Sequence, residues 1–198
     1  MIIATTSSTL DNLLENNKIF VNEYTNNRLM KLIKSDDMKE KNLRKRLLDC
    51  IQVFSDYFQK VVMLRYILCD NHKFLSVAQL HLTEEYGHNI SLKQDREHRP
   101  SVWDPILEST SCWFAWKMFT LDAEKTVLVH LVLETSAQLF FTRAHQVMEQ
   151  YQETEYFKIH RDADEQHEQM GIDLLKELTV EKYQRLQKIL SQGWAILN

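Results

Sequence analysis

One helix of this chain is written so that three ligand-type side chains fall where a bundle helix keeps its leucines. In the run Phe157-Lys-Ile-His160-Arg-Asp-Ala-Asp164-Glu-Gln-His167-Glu-Gln-Met-Gly171, the residues His160, Asp164 and His167 stack on a single helical face. The same spacing includes Phe157 before them and Gly171, Leu174 and Leu178 after them, which is the stripe of a buried seam. An unpaired carboxylate in an apolar interior costs several kcal/mol or takes up a proton. Such a seam therefore demands facing helices that bring partners, and a divalent metal serves two imidazoles and a carboxylate together.

The rest of the chain is suited to helices as well. Three Gly and two Pro in 198 residues are too few for an all-β or loop-rich fold, so an all-α, single-domain protein over residues 1–198 is expected. The net charge of -4 gives no polyanion-binding signal and speaks against nucleic acid as a partner. No apolar run approaches the roughly 18 residues of a membrane span, and the first residues lack the regions of a secretory leader. Cys50, Cys69 and Cys112 are odd in number and widely spaced, as free thiols of a reducing compartment would be. The expected location is cytoplasmic.

Apolar periodicity predicts helices over residues 9–34, 38–69, 74–88, 103–119 and 122–150, a sixth from about 155, and a last one capped by Thr179. The pairs Asn16-Asn17 and Asn26-Asn27 weaken the first helix, Ser35-Asp36-Asp37 is a cap cluster for the second, and Asp122 is placed to cap the fifth. The basic run from Lys39 to Arg46 is expected to be a solvated face. Residues 53–68 read as the most buried helix and 89–101 as a polar loop.

Two further helices interrupt their seams with ligand-type residues. The third carries Phe74, Val77, His81, Glu84 and His88 on its a/d positions, with Glu85 three residues before His88, so Glu84 and Glu85 compete for one role and Glu84 is slightly favoured. Gly87 within that helix points to a close approach at that turn. The fifth carries Val127, His130 and Glu134, the last a lone acid in a strongly apolar stretch. Helical bundles build dinuclear sites from carboxylates and histidines that meet in the core. Without thiolates the set favours iron or manganese over structural zinc. The candidate metal residues are thus Glu84, Glu85, His88, Glu134, His160, Asp164 and His167, with His81 and His130 as supporting or core histidines.

In this order, Glu84-Glu85-Tyr-Gly87-His88, the lone Glu134 and His160-x-x-x-Asp164-x-x-His167 resemble the haem-oxygenase-like di-iron oxidases and oxygenases, a superfamily with the TenA/PqqC-like fold. The resemblance spans roughly residues 40–178. In several relatives the first-motif histidine lies past the glycine by some residues, which leaves His98 as an alternative to His88. The resemblance implies a bundle of about seven helices, a labile centre of two ferrous ions, and a homodimer. It further implies activation of O2 for oxidation, N-oxygenation or C–C cleavage of a small amine or carboxylate-bearing substrate.

Two other functions fit such a fold. One is a metal-free hydrolase of aminopyrimidines, of the thiaminase-like kind, whose nucleophile here would be Cys112; among its aromatic neighbours Cys112 otherwise reads as a small core residue. The other is a non-catalytic, partner-binding bundle. Trp103, Trp113, Trp116, Phe140 and Tyr156 are candidates to line a pocket.

Overall fold

The computed structural model describes residues 9–151, 154–176 and 178–198, with the side chains of 161–166 and 168 outside the description. All regular structure among the described residues is helical, in the expected all-α bundle. Helix α1 (Leu10–Thr25) starts at Thr9 and stops at the asparagine pair. Asn27 then accepts from the Met30 N–H at 2.9 Å, so the residue that breaks one helix caps the next, α2 (Arg28–Ile33). Ser35 caps a single 3₁₀ turn, Asp36–Lys39, and only after it does α3 (Lys41–Ile67) begin.

Helix α4 (His72–Glu85) ends three residues earlier than expected, and half of the predicted loop is instead α5 (His88–Asp95). Only Leu92 of α5 is buried, so the segment has no apolar stripe for periodicity to reveal. Asp104 caps α6 (Pro105–Lys117), whose first residue is the tolerated proline. Asp122 is the first residue of α7 (Asp122–Thr126) rather than its cap. Its carboxylate accepts from the Asp70 and Asn71 N–H groups at 3.2 and 3.0 Å and so ties α7 to the start of α4.

Helix α7 runs on through a π-helical stretch, Val127–Glu134, into α8 (Thr135–Met148). There each backbone bond spans one residue more than in an α-helix, and the Thr135 hydroxyl donates to the His130 carbonyl at 3.0 Å. Then follow α9 (Glu155–Gln169), a 3₁₀ turn (Ile172–Leu175) and α10 (Val180–Leu197), with the chain leaving α9 through Gly171 in the left-handed region.

The deepest element is not 53–68 of α3 but the stretch from Glu124 to Glu134, where every residue is buried. Helices α9 and α10 pack on it, while α3 packs on α4, α5 and α6. Gly193 permits the approach of α10: a Cβ there would stand 2.9 Å from Leu128 Cδ2 and 3.1 Å from Val132 Cγ2. This packing sets Glu134 at the centre of the bundle.

Candidate metal centre

The buried stripe of α4 is Ala78, His81 and Glu85, so the last step is four residues rather than three and Glu85, not Glu84, points inward. Glu84 stands at the rim with its side chain 39% exposed. Helix α4 then ends because Gly87 takes φ +89°, a conformation that L side chains rarely adopt. A Cβ at Gly87 would touch only Ile90 Cδ1 at 3.9 Å, so the glycine is needed for the turn and not for a close approach. Its N–H donates to Gln59 Oε1 at 2.9 Å. The turn brings His88 back, Nδ1 lying 3.2 Å from Glu85 Oε2.

From the other side, α9 presents His160 and His167. His167 Nδ1 is 3.3 Å from Glu85 Oε1 and 3.6 Å from Glu134 Oε2, and His81 Nε2 is 2.8 Å from Glu134 Oε1. Among the described residues, two groups of possible metal-holding side chains result. One joins His81, Glu85, Glu134 and His167, the other Glu85, His88 and His160, each with its donor atoms within 4.8 Å of one another. Glu85 belongs to both. Asp164 lies outside the described residues. His98 is exposed at φ +53° beyond α5 and joins neither group.

Hydrogen bonds decide which imidazole nitrogens are free. His160 Nδ1 is 2.8 Å from the Tyr156 carbonyl, which only accepts, so Nδ1 carries the proton and Nε2 keeps its lone pair. His167 Nε2 is 3.1 Å from Glu84 Oε2, which leaves Nδ1 turned to the carboxylates of Glu85 and Glu134. That Nδ1 is buried, with the carboxylate oxygens of Glu85 and Glu134 at 3.3 and 3.6 Å. In the metal-free protein a proton on Nδ1 answers the two carboxylates; a cation in its place would meet the freed lone pair and both carboxylates, so the residues fit a metal on their own geometry.

Charges respond accordingly. Burial alone would raise the carboxyls of Glu85 and Glu134, but the imidazoles beside them hold both below the usual range. Burial opposes the His167 imidazolium, yet Glu134 and Glu85 outweigh it and push its pKa up to about 11. The hydrogen bond to Glu85 raises His88, whereas burial lowers His160 and carries His130 well below its ordinary value.

Arg65 is the residue the sequence reading missed. It is 2% exposed, with one guanidinium nitrogen 2.8 Å from His130 Nε2 and 3.3 Å from His81 Nδ1. Burial pushes it down to about 10, with the Glu134 charge acting to keep it protonated. A signal was available: Arg65 is a lone cation in Val61-Val-Met-Leu-Arg-Tyr-Ile67, the mirror image of the lone Glu134.

Beside the cluster lies a cavity of about 430 Å³ between α2, α3, α6, α8 and α10. Phe140 and Phe141 line it, and the Phe141 ring also stands 4.6 Å from that of His160 on the cluster side. Tyr156 is buried against His160 with its hydroxyl 2.9 Å from Ser55 Oγ, and it does not reach the cavity. Trp103 and Trp116 are exposed and Trp113 is not in the lining. Cys112, expected to be a core residue or a nucleophile, is exposed on α6 and faces away from the cavity.

Fold and cluster together define a haem-oxygenase-like bundle with a buried carboxylate–imidazole centre. The sequence pattern of a family described as iron-containing redox enzymes matches residues 71–198, and this chain belongs to that family. It is also 36% identical over 190 residues to an uncharacterised protein of Rickettsia prowazekii (strain Madrid E), a match that covers 96% of this chain and 91% of the relative. No solved structure matches it. No helix among the described residues is long and apolar enough to cross a membrane.

Proposed function

We propose that the chain is a non-haem di-iron oxidase or oxygenase, which uses O2 to oxidise, N-oxygenate or cleave a C–C bond in a small amine or carboxylate-bearing substrate. The observation that carries this reading is the membership of Glu85 in both ligand groups, since its two carboxylate oxygens would let one residue serve two ions. Glu85, Glu134 and His167 would hold one ion and Glu85, His88 and His160 the other, with Asp164 expected from the sequence to join them. Manganese would suit the same donors. When bound, the irons supply the electrons that reduce O2.

The chain's own residues prepare that chemistry. The Tyr156 carbonyl turns His160 Nε2 inward, and Glu84 does the same for His167 Nδ1. The apolar seam around Glu134 excludes water. The neighbouring cavity, lined mainly by apolar side chains with Arg46, Thr110, Ser111 and Ser136 among the few polar groups, offers room for an organic substrate. The homodimer implied by the resemblance belongs to the same proposal. What supports it is the exposure of Trp103, Ile106, Trp116 and Phe119, and sedimentation velocity tests it.

Anaerobic loading with ferrous iron, metal quantification and oxygen uptake test the whole. About two irons per chain and O2 consumption are expected. Specific binding of no iron would reject the proposal and leave the partner-binding alternative. The hydrolase alternative is weakened because Cys112 faces solvent, while burial raises the thiol of the cavity-lining Cys50, away from nucleophile chemistry.

A further inference from the structure

The positions of the heavy atoms allow His81 two roles. Its Nε2, 2.8 Å from Glu134 Oε1, either binds the metal beside that carboxylate or carries a proton and donates to it. Arg65 discriminates between them. A guanidinium has five N–H donors and no acceptor, so any ring nitrogen facing it must present a lone pair. Arg65 NH1 faces two such nitrogens at once, His130 Nε2 at 2.8 Å and His81 Nδ1 at 3.3 Å, and it has one hydrogen for each.

We infer that Arg65 fixes His81 as the tautomer protonated on Nε2, so that His81 positions Glu134 and is not itself a metal ligand. With Nδ1 unprotonated, the ring proton sits on Nε2 and points at Glu134 Oε1, and that nitrogen has no lone pair left for an ion. The opposite arrangement, metal on Nε2 and proton on Nδ1, sets two N–H donors against each other inside the bundle.

The same bookkeeping applied to His160 gives the opposite answer, because its Nδ1 meets a carbonyl. The partner of the outer nitrogen thus sorts the histidines: an acceptor behind the ring makes a ligand, and a donor behind the ring makes a support. Held through Oε1, Glu134 turns Oε2 to His167 Nδ1, 3.6 Å away. Arg65 is 2% exposed and His81 0%, so bulk solvent does not compete for either bond.

The assignment of His81 as a support rests on the proposed metal function, but its tautomer can be read without metal. In uniformly ¹⁵N-labelled, chelator-treated protein, two-bond ¹H–¹⁵N correlation spectra distinguish protonated from unprotonated ring nitrogens, with the His81→Gln spectrum giving the assignment. The expected result is Nε2 protonated in His81 and Nδ1 protonated in His160. Protonation of His81 at Nδ1, or at both nitrogens, overturns the inference.

Cobalt(II) then serves as a redox-stable probe. Glutamine at position 81 carries an amide N–H in place of the Nε2 proton, so His81→Gln should keep the cobalt stoichiometry and the ligand-field bands. A loss of affinity of about 10–100-fold is expected, as for other residues that orient a ligand. Loss of one ion or displaced bands would make His81 a ligand and overturn the inference. Arg65→Met should shift the bands by releasing the His81 ring, and Arg65→Lys, which restores a donor, should return them; a shift the lysine does not reverse counts against the inference. Failure of the parent protein to bind cobalt or iron would reject the metal function, while the nitrogen spectra would still decide the tautomer.

Discussion

Replacing Glu134 by glutamine removes one charge and almost no volume from the centre of the bundle. Arg65 and Glu134 are 2% and 5% exposed, and the His81 ring links them through contacts of 3.3 and 2.8 Å. Removing one member of a buried ion pair costs about 3–5 kcal/mol, because the other charge is left without compensation. Here an imidazole separates the charges, and loss of the carboxylate also relieves its repulsion of Glu85. The lower end, about 3 kcal/mol, therefore applies. For a chain of this length, about 2–4 °C of melting temperature accompanies each kcal/mol, so Glu134→Gln should melt roughly 6–12 °C below the parent. Far-ultraviolet circular dichroism in chelator is the assay, since it isolates the protein's own charges from metal binding. The double variant Arg65→Met/Glu134→Leu, which removes both charges, should regain most of the loss. A Glu134→Gln protein that melts within about 2 °C of the parent would refute the reasoning, because Glu134 would then not be the counter-charge of Arg65.

Three other outcomes follow from the site and its frame. Glu85→Ala should abolish iron uptake at both positions, whereas Glu84→Ala should retain iron with affinity lowered about 10–100-fold, as expected for a residue that only orients His167; metal analysis after dialysis distinguishes them. In metal-free protein, the denaturant midpoint should peak near neutrality. His130 and His160 are held below their ordinary value, so their contribution is present above about 6.5 and is lost as pH falls. His167 is raised to about 11, so its contribution is full below about 6.5 and is lost as pH rises towards 11. A midpoint that climbs steadily from pH 5 to 10 would contradict this pairing (about 5–10 is a convenient window). Gly87→Ala should cost about 1–2 kcal/mol from backbone strain alone, since the added methyl makes only an ordinary contact with Ile90; equilibrium unfolding measures it, and an unchanged midpoint would refute the turn argument.

How legible the centre is depends on how each residue stands against its surroundings. Glu134 announces itself because ten-odd apolar neighbours make one acid conspicuous, and His160 and His167 because they occupy seam positions of an amphipathic helix. Arg65 carries the same kind of signal with the opposite sign. It is easily passed over, since arginine is common on helix surfaces and only the packing shows that this one is inside. Glu84 and Glu85 are not separable by spacing: from His81 one lies three residues on and the other four, and both steps stay on one helical face. Packing decides between them, burying Glu85 and leaving Glu84 at the rim, while the left-handed turn at Gly87 moves His88 to a new helix. The π-helical stretch left no mark on the apolar pattern, because every residue there is buried and no polar side remains to give a period. Helix α5 escaped for the converse reason, being polar nearly all round.

The centre is drawn from distant parts of the chain: Glu134 is 53 residues from His81, and His167 is 83 residues from Glu84. During synthesis, α4, His88 and the deep apolar stretch with Glu134 emerge long before α9, so a growing chain carries Glu85, His88 and Glu134 while His160 and His167 are still to come. On the proposed function, both candidate sites would stay incomplete until α9 docks. Charging with metal would then fall to the finished protein, with the proton on His167 keeping the place until then. A cell short of iron would on this logic accumulate a folded, uncharged stock, and its activity would track iron supply without new protein being made.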